Sequence, residues 1–208
     1  MYIFFVSDFD GTLFDTYPGM VHAFKVALKE HNIDVSESEI HKYMSISVKT
    51  AINHFKENHK LNDDFIYKFI EYEKKLEGDK VIPFPFAKEI CLDFKKSGGK
   101  NYILTHRGNS TLKFLEHHGM TEYFEEIATK HNKFKRKPDP EGFSYFTKKY
   151  GMSNHMVLGV GDRECDILGA KEAGINTCLY NTNNIELNEN VDYRISSLEE
   201  LYKILSLK

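Results

Sequence analysis

Two carboxylates, Asp8 and Asp10, end the apolar run FFVSDFDGT near the start of the chain. On a strand, side chains two positions apart share a face, so both carboxylates are expected to point the same way. Two unit charges ~4 Å apart repel by about 4 kcal/mol at an effective dielectric constant of about 20, and this repulsion requires compensation. A bound cation, or a proton on one aspartate, would supply it. Taken alone, the pattern is also typical of an acidic turn after a strand.

A second acidic motif, GDRECD, follows the apolar run at 156–160. Asp162 would lie at the carboxyl end of a parallel strand, where α/β sheets bind ligands. Asp166 falls four residues later at a predicted helix start, and by itself it is typical of a helix N-cap. The sequence therefore predicts Asp162 as a functional carboxylate and leaves Asp166 open between a ligand and a cap.

A hydroxyl and a cation complete the candidate set. Thr105 ends a predicted strand in YILTHRG, and Lys137 precedes a proline in FKRKPDP. Each alone is typical of an ordinary strand-end hydroxyl or a solvated surface charge. Together they suit a phosphate held against carboxylates, because the hydroxyl donates a hydrogen bond and lysine is a compact cation.

The elements that must position these residues alternate between strand and helix. Buried-strand patterns occur at 3–7, 102–104, 156–160 and 177–180, with weaker ones near positions 127 and 193. Helical patterns lie between them at 86–96, 110–118 and 141–150. This alternation predicts an α/β fold.

The segment 15–83 breaks the alternation, since its apolar residues recur at helical spacing without a convincing strand. The chain returns from it through VIPFPF, whose two prolines suit a stiff hinge. We therefore expect two domains: a core domain of 1–14 and 84–208, and a helical cap domain of 15–83.

Composition excludes several classes of protein. The 208 residues include 28 basic and 31 acidic side chains, so nothing in the net charge recommends a nucleic-acid or membrane partner. The three cysteines form no CxxC motif, which predicts neither disulfides nor a thiolate metal site and favours a cytoplasmic location. The N-terminal apolar run is far too short to span a membrane and lacks the basic start of a signal peptide.

The motifs DFDGT, LTHRG, KRKPDP and GDRECD, in this order and with a helical insert after the first, resemble the haloacid dehalogenase (HAD) superfamily of phosphohydrolases. The resemblance covers essentially the whole chain and is strongest to the branch that contains phosphoglycolate phosphatases and β-phosphoglucomutases. It implies a Rossmann-like, doubly wound parallel sheet of strand order 5-4-1-2-3 with a small all-helical cap. It also implies a phosphoric monoester hydrolase whose partner is a small phosphorylated metabolite, acting as a monomer or homodimer.

The resemblance assigns a role to each core candidate. Asp8 would attack phosphorus and form an aspartyl-phosphate. Asp10 would be the general acid and base, and repulsion from neighbouring carboxylates is expected to favour its protonated form. Thr105 and Lys137 would hold the transferring phosphoryl group. Because true dehalogenases lack a counterpart of Asp10, its presence favours phosphate ester chemistry.

The same resemblance implies a magnesium site. Its ligands would be the Asp8 carboxylate, the Asp10 backbone carbonyl and Asp162, with Asp166 as a ligand or as a partner of the ligands. Oxygen-only, carboxylate-rich sets suit Mg²⁺, which is a hard cation.

Four further residues are candidates on the substrate side: His106 and Arg107 after the second strand, and Ser47 and Lys49 in the cap. The cap pair lies where related sugar phosphomutases carry an arginine that grips a second phosphate. Lysine replaces bidentate arginine poorly, so the sequence favours a phosphatase and keeps a sugar phosphomutase of the β-phosphoglucomutase type as the alternative.

Overall fold

The computed structural model describes residues 1–76, 80–180 and 190–207. Its contacts divide the chain into two compact units. The sheet unit comprises Met1–Phe14 and Pro83–Lys208, and the helical unit comprises Asp15–Ile82. No helix in the described ranges combines the length and the apolar character needed to cross a bilayer.

The strands of the described residues are mostly short. They are β1 (Phe4–Ser7), β2 (Phe14–Asp15), β3 (Ile82–Pro83), β4 (Lys100–Leu104), β5 (Phe124–Ala128), β6 (Val157–Gly161), β7 (Asn176–Tyr180) and β8 (Tyr193–Ile195). Six of them form one parallel sheet in the order β5-β4-β1-β6-β7-β8, whereas β2 and β3 pair separately. When β2 and β3 are left out, β1, β4, β5, β6 and β7 are strands 1 to 5 of the sheet in chain order. Read from β7 to β5, their order in the sheet is 5-4-1-2-3, which confirms the expectation. β8 extends the sheet beyond β7.

Helices connect the strands and build the second unit. Those of the helical unit are α1 (Tyr17–Glu30), α2 (Glu37–Met44), α3 (Val48–His59) and α4 (Asp64–Lys74). Those of the sheet unit are α5 (Ala87–Lys96), α6 (Ser110–His117), α7 (Glu141–Lys149), α8 (Glu164–Glu172) and α9 (Leu201–Ile204). The predicted α/β class is therefore confirmed, and the helices predicted after the cap agree with α5, α6 and α7 to within one residue at each end.

The register of the central strand β1 positions the site. Ser7, its last residue, pairs with Ile103 of β4 on one side and with Val160 of β6 on the other. Because all three strands are parallel, the residues that follow these positions leave the sheet at the same edge. Asp8, Thr105 and Asp162 are therefore brought to one edge by strand pairing alone.

The helical unit packs around Phe24 of α1, whose side chain is fully buried. Its ring lies 5.4 Å from Phe55, 4.9 Å from Phe65 and 5.1 Å from Phe69, measured between ring centroids. Edge-on aromatic packing of this kind stabilises a core beyond the area that it buries. The apolar stripe of α1 thus forms the core of this unit.

Replacing Phe24 by alanine should lower the free energy of unfolding of the helical unit by about 3–5 kcal/mol, because a large cavity would open among three aromatic rings. Urea unfolding followed by circular dichroism measures the change. Tyr67→Ala is the matched control, since the Tyr67 side chain on α4 is 71% exposed. If Phe24→Ala shifted the unfolding curve no further than the control does, this account of the core would be wrong.

Candidate active site

Five buried polar residues lie at the carboxyl edge of the sheet: Asp8 after β1, Thr105 after β4, Lys137 before α7, Asp162 after β6 and Asp166 in α8. Each is at most 7% exposed. Charged groups are rarely buried unless they are paired or bind a metal. The structure thus brings these five candidates of the sequence to one edge of the sheet, whereas Asp10 makes a separate contact described below.

Asp8 lies between two cations. Its Oδ1 is 3.1 Å from Lys137 Nζ, and its Oδ2 accepts a hydrogen bond of 2.8 Å from Arg163 Nη2. Burial raises the pKa of Asp8, but the charges of Lys137 and Arg163 and a hydrogen bond from the Phe9 backbone outweigh burial and lower the pKa to about 2. Asp8 is therefore a carboxylate at neutral pH, which is the form that a nucleophile needs.

Lys137 is held by three oxygen atoms. Its Nζ donates to the Leu104 carbonyl at 3.0 Å and forms ion pairs with Asp8 and Asp166. Burial lowers the pKa of Lys137, yet the Asp166 and Asp8 charges raise it above its usual value. The lysine is therefore a fixed positive charge beside the candidate nucleophile.

Three buried carboxylates, Asp8, Asp162 and Asp166, each offer one oxygen within 4.8 Å of the others. Thr12 Oγ1 donates to Asp162 Oδ1 at 3.1 Å and so orients that group. Gly161 is required by this arrangement, because a Cβ atom there would lie 2.3 Å from the Asp166 Cβ. An oxygen-only set of three carboxylates fits a hard divalent cation such as Mg²⁺.

Asp166 is not the N-cap that the sequence allows: α8 begins at Glu164, Arg163 is at the N-cap position, and Asp166 caps the helix from its third residue. Its role as a metal ligand stays a prediction. Its Oδ2 accepts the Arg163 backbone N–H at 3.2 Å, as a carboxylate does in the first turn of a helix. Its Oδ1 pairs with Lys137 and so belongs to the charged site. The helix start and the site therefore share one side chain.

Arg163 is a site residue that the sequence analysis missed. Besides its hydrogen bond to Asp8, its Nε lies 3.6 Å from Asp166 Oδ2 and 3.9 Å from Asp162 Oδ1. Burial lowers its pKa, but the three carboxylates raise it well above the usual value. The signal that could have identified Arg163 is a basic residue placed between two candidate carboxylates in GDRECD.

Asp10 makes a different contact from the one that the sequence predicts. Its Oδ1 accepts a hydrogen bond of 2.6 Å from Arg107 Nε, so a guanidinium rather than a second carboxylate faces it. The Asp10 side chain is not part of the three-carboxylate cluster found among the described residues. Metal ligation by its backbone carbonyl stays a prediction.

The two residues that follow Thr105 form hydrogen bonds that stabilise the backbone around the site. The Thr105 hydroxyl accepts the Arg107 backbone N–H at 3.1 Å, and His106 Nε2 accepts the Lys137 backbone N–H at 2.9 Å. Burial, together with the nearby Lys137 and Arg136 charges, lowers the pKa of His106 to about 3. A neutral imidazole can accept this hydrogen bond, so His106 links the end of β4 to the loop that carries Lys137. Its contact with substrate stays a prediction.

The two cap candidates lie at the start of α3. Ser47 Oγ accepts the Thr50 backbone N–H at 2.9 Å and therefore caps this helix. Lys49 is the second residue of the helix. This helix cap does not test whether Ser47 or Lys49 contacts substrate, so both contacts stay predictions.

Comparison with known proteins agrees with this geometry. Residues 3–180 match the family model described as haloacid dehalogenase-like hydrolase. The chain is 29% identical over 178 residues to a phosphoglycolate phosphatase of Mesorhizobium japonicum, an alignment that covers 82% of this chain and 78% of that protein. It is 26% identical over 204 residues to the pyrophosphatase PpaX of Oceanobacillus iheyensis, covering 95% and 94% of the two chains.

A solved structure shares the fold as well as part of the sequence. A hydrolase from Streptococcus pneumoniae TIGR4 superposes with a TM-score of 0.69 and 29% identity, covering 99% of both chains. The family match spans most of the chain, from the start of β1 to the end of β7. The chain therefore belongs to the haloacid dehalogenase-like hydrolase family.

Proposed function

We propose that this hydrolase is a Mg²⁺-dependent phosphatase that acts on small phosphomonoesters through an aspartyl-phosphate at Asp8. The observation that supports it most is the state of Asp8, which is buried, ionised and held between Lys137 and Arg163 beside two further carboxylates. Because Asp8 is ionised, buried and at the ligand-binding edge of the sheet, a role as nucleophile explains its surroundings better than a purely structural ion pair does.

In the first step, an Asp8 oxygen bonds to phosphorus while the bond from phosphorus to the ester oxygen breaks. Asp10 gives a proton to the departing oxygen, so the product leaves as an alcohol. In the second step, water bonds to phosphorus, Asp10 takes its proton, and the bond between Asp8 and phosphorus breaks to release phosphate. Splitting the reaction in this way replaces one difficult substitution by two easier ones.

The remaining charges would stabilise the phosphoryl group during transfer. Mg²⁺ held by Asp8, Asp162 and Asp166 would supply a Lewis acid for its oxygens. Lys137 is already fixed beside Asp8, so its charge needs no reorganisation when negative charge develops. Thr105 lies at the same edge with a hydroxyl that can donate to a phosphate oxygen.

The names of the relatives point to small substrates. The protein from Mesorhizobium japonicum is a phosphoglycolate phosphatase and that from Oceanobacillus iheyensis is a pyrophosphatase. We therefore include phosphoglycolate and pyrophosphate, together with sugar phosphates, as test compounds for this chain. Sugar phosphates also test the phosphomutase alternative, which predicts net isomerisation instead of phosphate release.

Phosphate release from a panel of small phosphate esters should require a divalent cation. EDTA should abolish it and added Mg²⁺ should restore it, because the carboxylate cluster would repel a phosphate group without a cation. Measurement of inorganic phosphate tests this directly. Activity that persists after chelation would contradict the metal requirement, and isomerised sugar phosphate without free phosphate would favour the mutase.

Asp8→Asn should lower phosphate release by at least about 10³-fold, because an amide oxygen cannot act as the nucleophile. Acid-quenched wild-type protein should gain the mass of one phosphoryl group during turnover, and the variant should not. Asp34→Asn is the control, since Asp34 is an exposed aspartate of the helical unit. Full activity of Asp8→Asn would rule out the aspartyl-phosphate route.

A further inference from the structure

Arg107 is a buried arginine that directly faces Asp10. Its side chain is only 4% exposed, and its Nε donates to Asp10 Oδ1 at 2.6 Å. Short, charge-assisted hydrogen bonds of this kind are about twice as strong as neutral ones. Desolvation of an arginine is costly, so the surroundings must hold it in place.

Several contacts fix the Arg107 side chain and backbone. Its Nη1 donates to Ser110 Oγ at 3.1 Å, and its guanidinium carbon lies 5.7 Å from the centre of the Phe114 ring. Its backbone N–H donates to Thr105 Oγ1, and its carbonyl accepts the Lys130 N–H at 3.0 Å. The guanidinium is therefore anchored to α6 and to the end of β4, and it can orient a partner rather than follow it.

We propose that Arg107 is the positioning residue for Asp10, holding Oδ1 so that Oδ2 is the atom that exchanges the proton with the leaving oxygen and with water. This inference rests on the proposed function, because Asp10 is the acid and base only if the chain transfers phosphate. It assigns Arg107 an effect on proton transfer and not on substrate binding. A carboxylate released from this contact would rotate about its side-chain bonds, and misplacement by about 1 Å costs up to ~10²-fold in rate.

The test compares substrates that need a proton on the leaving group with one that does not. Arg107→Met should lower kcat/KM, which reports the first phosphoryl transfer, by about 10- to 100-fold for an alkyl phosphate such as glycerol phosphate, with KM changed less than about threefold. For p-nitrophenyl phosphate the loss of kcat/KM should be far smaller, because the phenolate leaves without protonation. Arg107→Lys should recover part of the alkyl phosphate activity, since lysine keeps the charge but only as a single point of contact. Arg194→Met, at an exposed position on β8, is the matched control.

A double variant shows whether Arg107 acts through Asp10. In an Asp10→Asn background, adding Arg107→Met should cause little further loss, because the group that it positions no longer transfers a proton. Equal losses of kcat/KM on both substrates, a raised KM or additive losses of kcat/KM in the double variant would overturn the inference. Activity of Arg107→Met on p-nitrophenyl phosphate shows that the variant is folded. A wild-type protein inactive on every phosphate ester would instead refute the proposed function itself.

A second inference concerns Arg163 and rests on separate contacts. Its guanidinium lies close to all three carboxylates of the cluster, 2.8 Å from Asp8 Oδ2, 3.6 Å from Asp166 Oδ2 and 3.9 Å from Asp162 Oδ1. Its Nε is buried and donates no hydrogen bond among the described residues, so the attraction there is one of charge rather than of a formed bond. We infer that Arg163 is a resident counter-cation of the cluster, which a divalent cation must displace from Asp8, Asp162 and Asp166 in order to bind.

Metal binding without catalysis tests this role. Arg163→Met should bind Mg²⁺ or Mn²⁺ more tightly than the wild type by about tenfold in calorimetry, because a competing cation has been removed. Its Tm in EDTA should fall and should gain more from added Mg²⁺ than that of the wild type, since three carboxylates would face one another with less compensation. Arg194→Met should match the wild type in both measurements. Unchanged or weaker metal binding by Arg163→Met would overturn the inference.

Discussion

Repulsion among three buried carboxylates is the constraint on which this site depends. Oxygens of Asp8, Asp162 and Asp166 lie within 4.8 Å of one another, and carboxylates this close in a poorly solvated place cannot all stay ionised without nearby positive charge. Lys137 and Arg163 supply it, and the depressed pKa of Asp8 follows from them. The loops that carry these two cations are therefore as necessary to the site as the strands that carry the carboxylates.

Strand register explains why residues far apart in the chain meet so closely. β1 lies between β4 and β6, and its last residue is paired on both sides. The Asp8 N–H continues this pairing by donating to the Val160 carbonyl at 2.9 Å. The first carboxylate is thus fixed by the backbone of the sheet, whereas Lys137 reaches it from a loop through its contacts with Leu104 and His106. Asp8 is thus held by the sheet itself, and the cations reach it from the loops.

The strand order and the edge position of Asp8, Thr105 and Asp162 could be predicted from the sequence, because they follow from apolar runs, from polar residues at their ends and from motifs in a known order. Pairings between side chains could not be predicted in that way. The contact of Asp10 with Arg107 joins residues 97 positions apart and depends on rotamers set by Ser110 and Phe114. Arg163 was missed for the same reason: its position in GDRECD places it on the right loop but does not show that its guanidinium turns inward.

The charges at the site bear on the order in which a metal ion and a phosphate ester would bind. Four carboxylates, those of Asp8, Asp10, Asp162 and Asp166, face three cations, Lys137, Arg107 and Arg163. His106 adds nothing at neutral pH, because its pKa is lowered to about 3. With all four carboxylates ionised, these seven groups would leave a net negative charge, which disfavours the approach of a phosphate dianion. A divalent cation would add two positive charges, so that even with Arg163 displaced from the carboxylates the site would no longer carry a net negative charge and would no longer repel phosphate. Under the proposed mechanism the metal would therefore bind before the ester or together with it, because the arginines bring the site close enough to neutrality for a single divalent cation to offset the remaining negative charge.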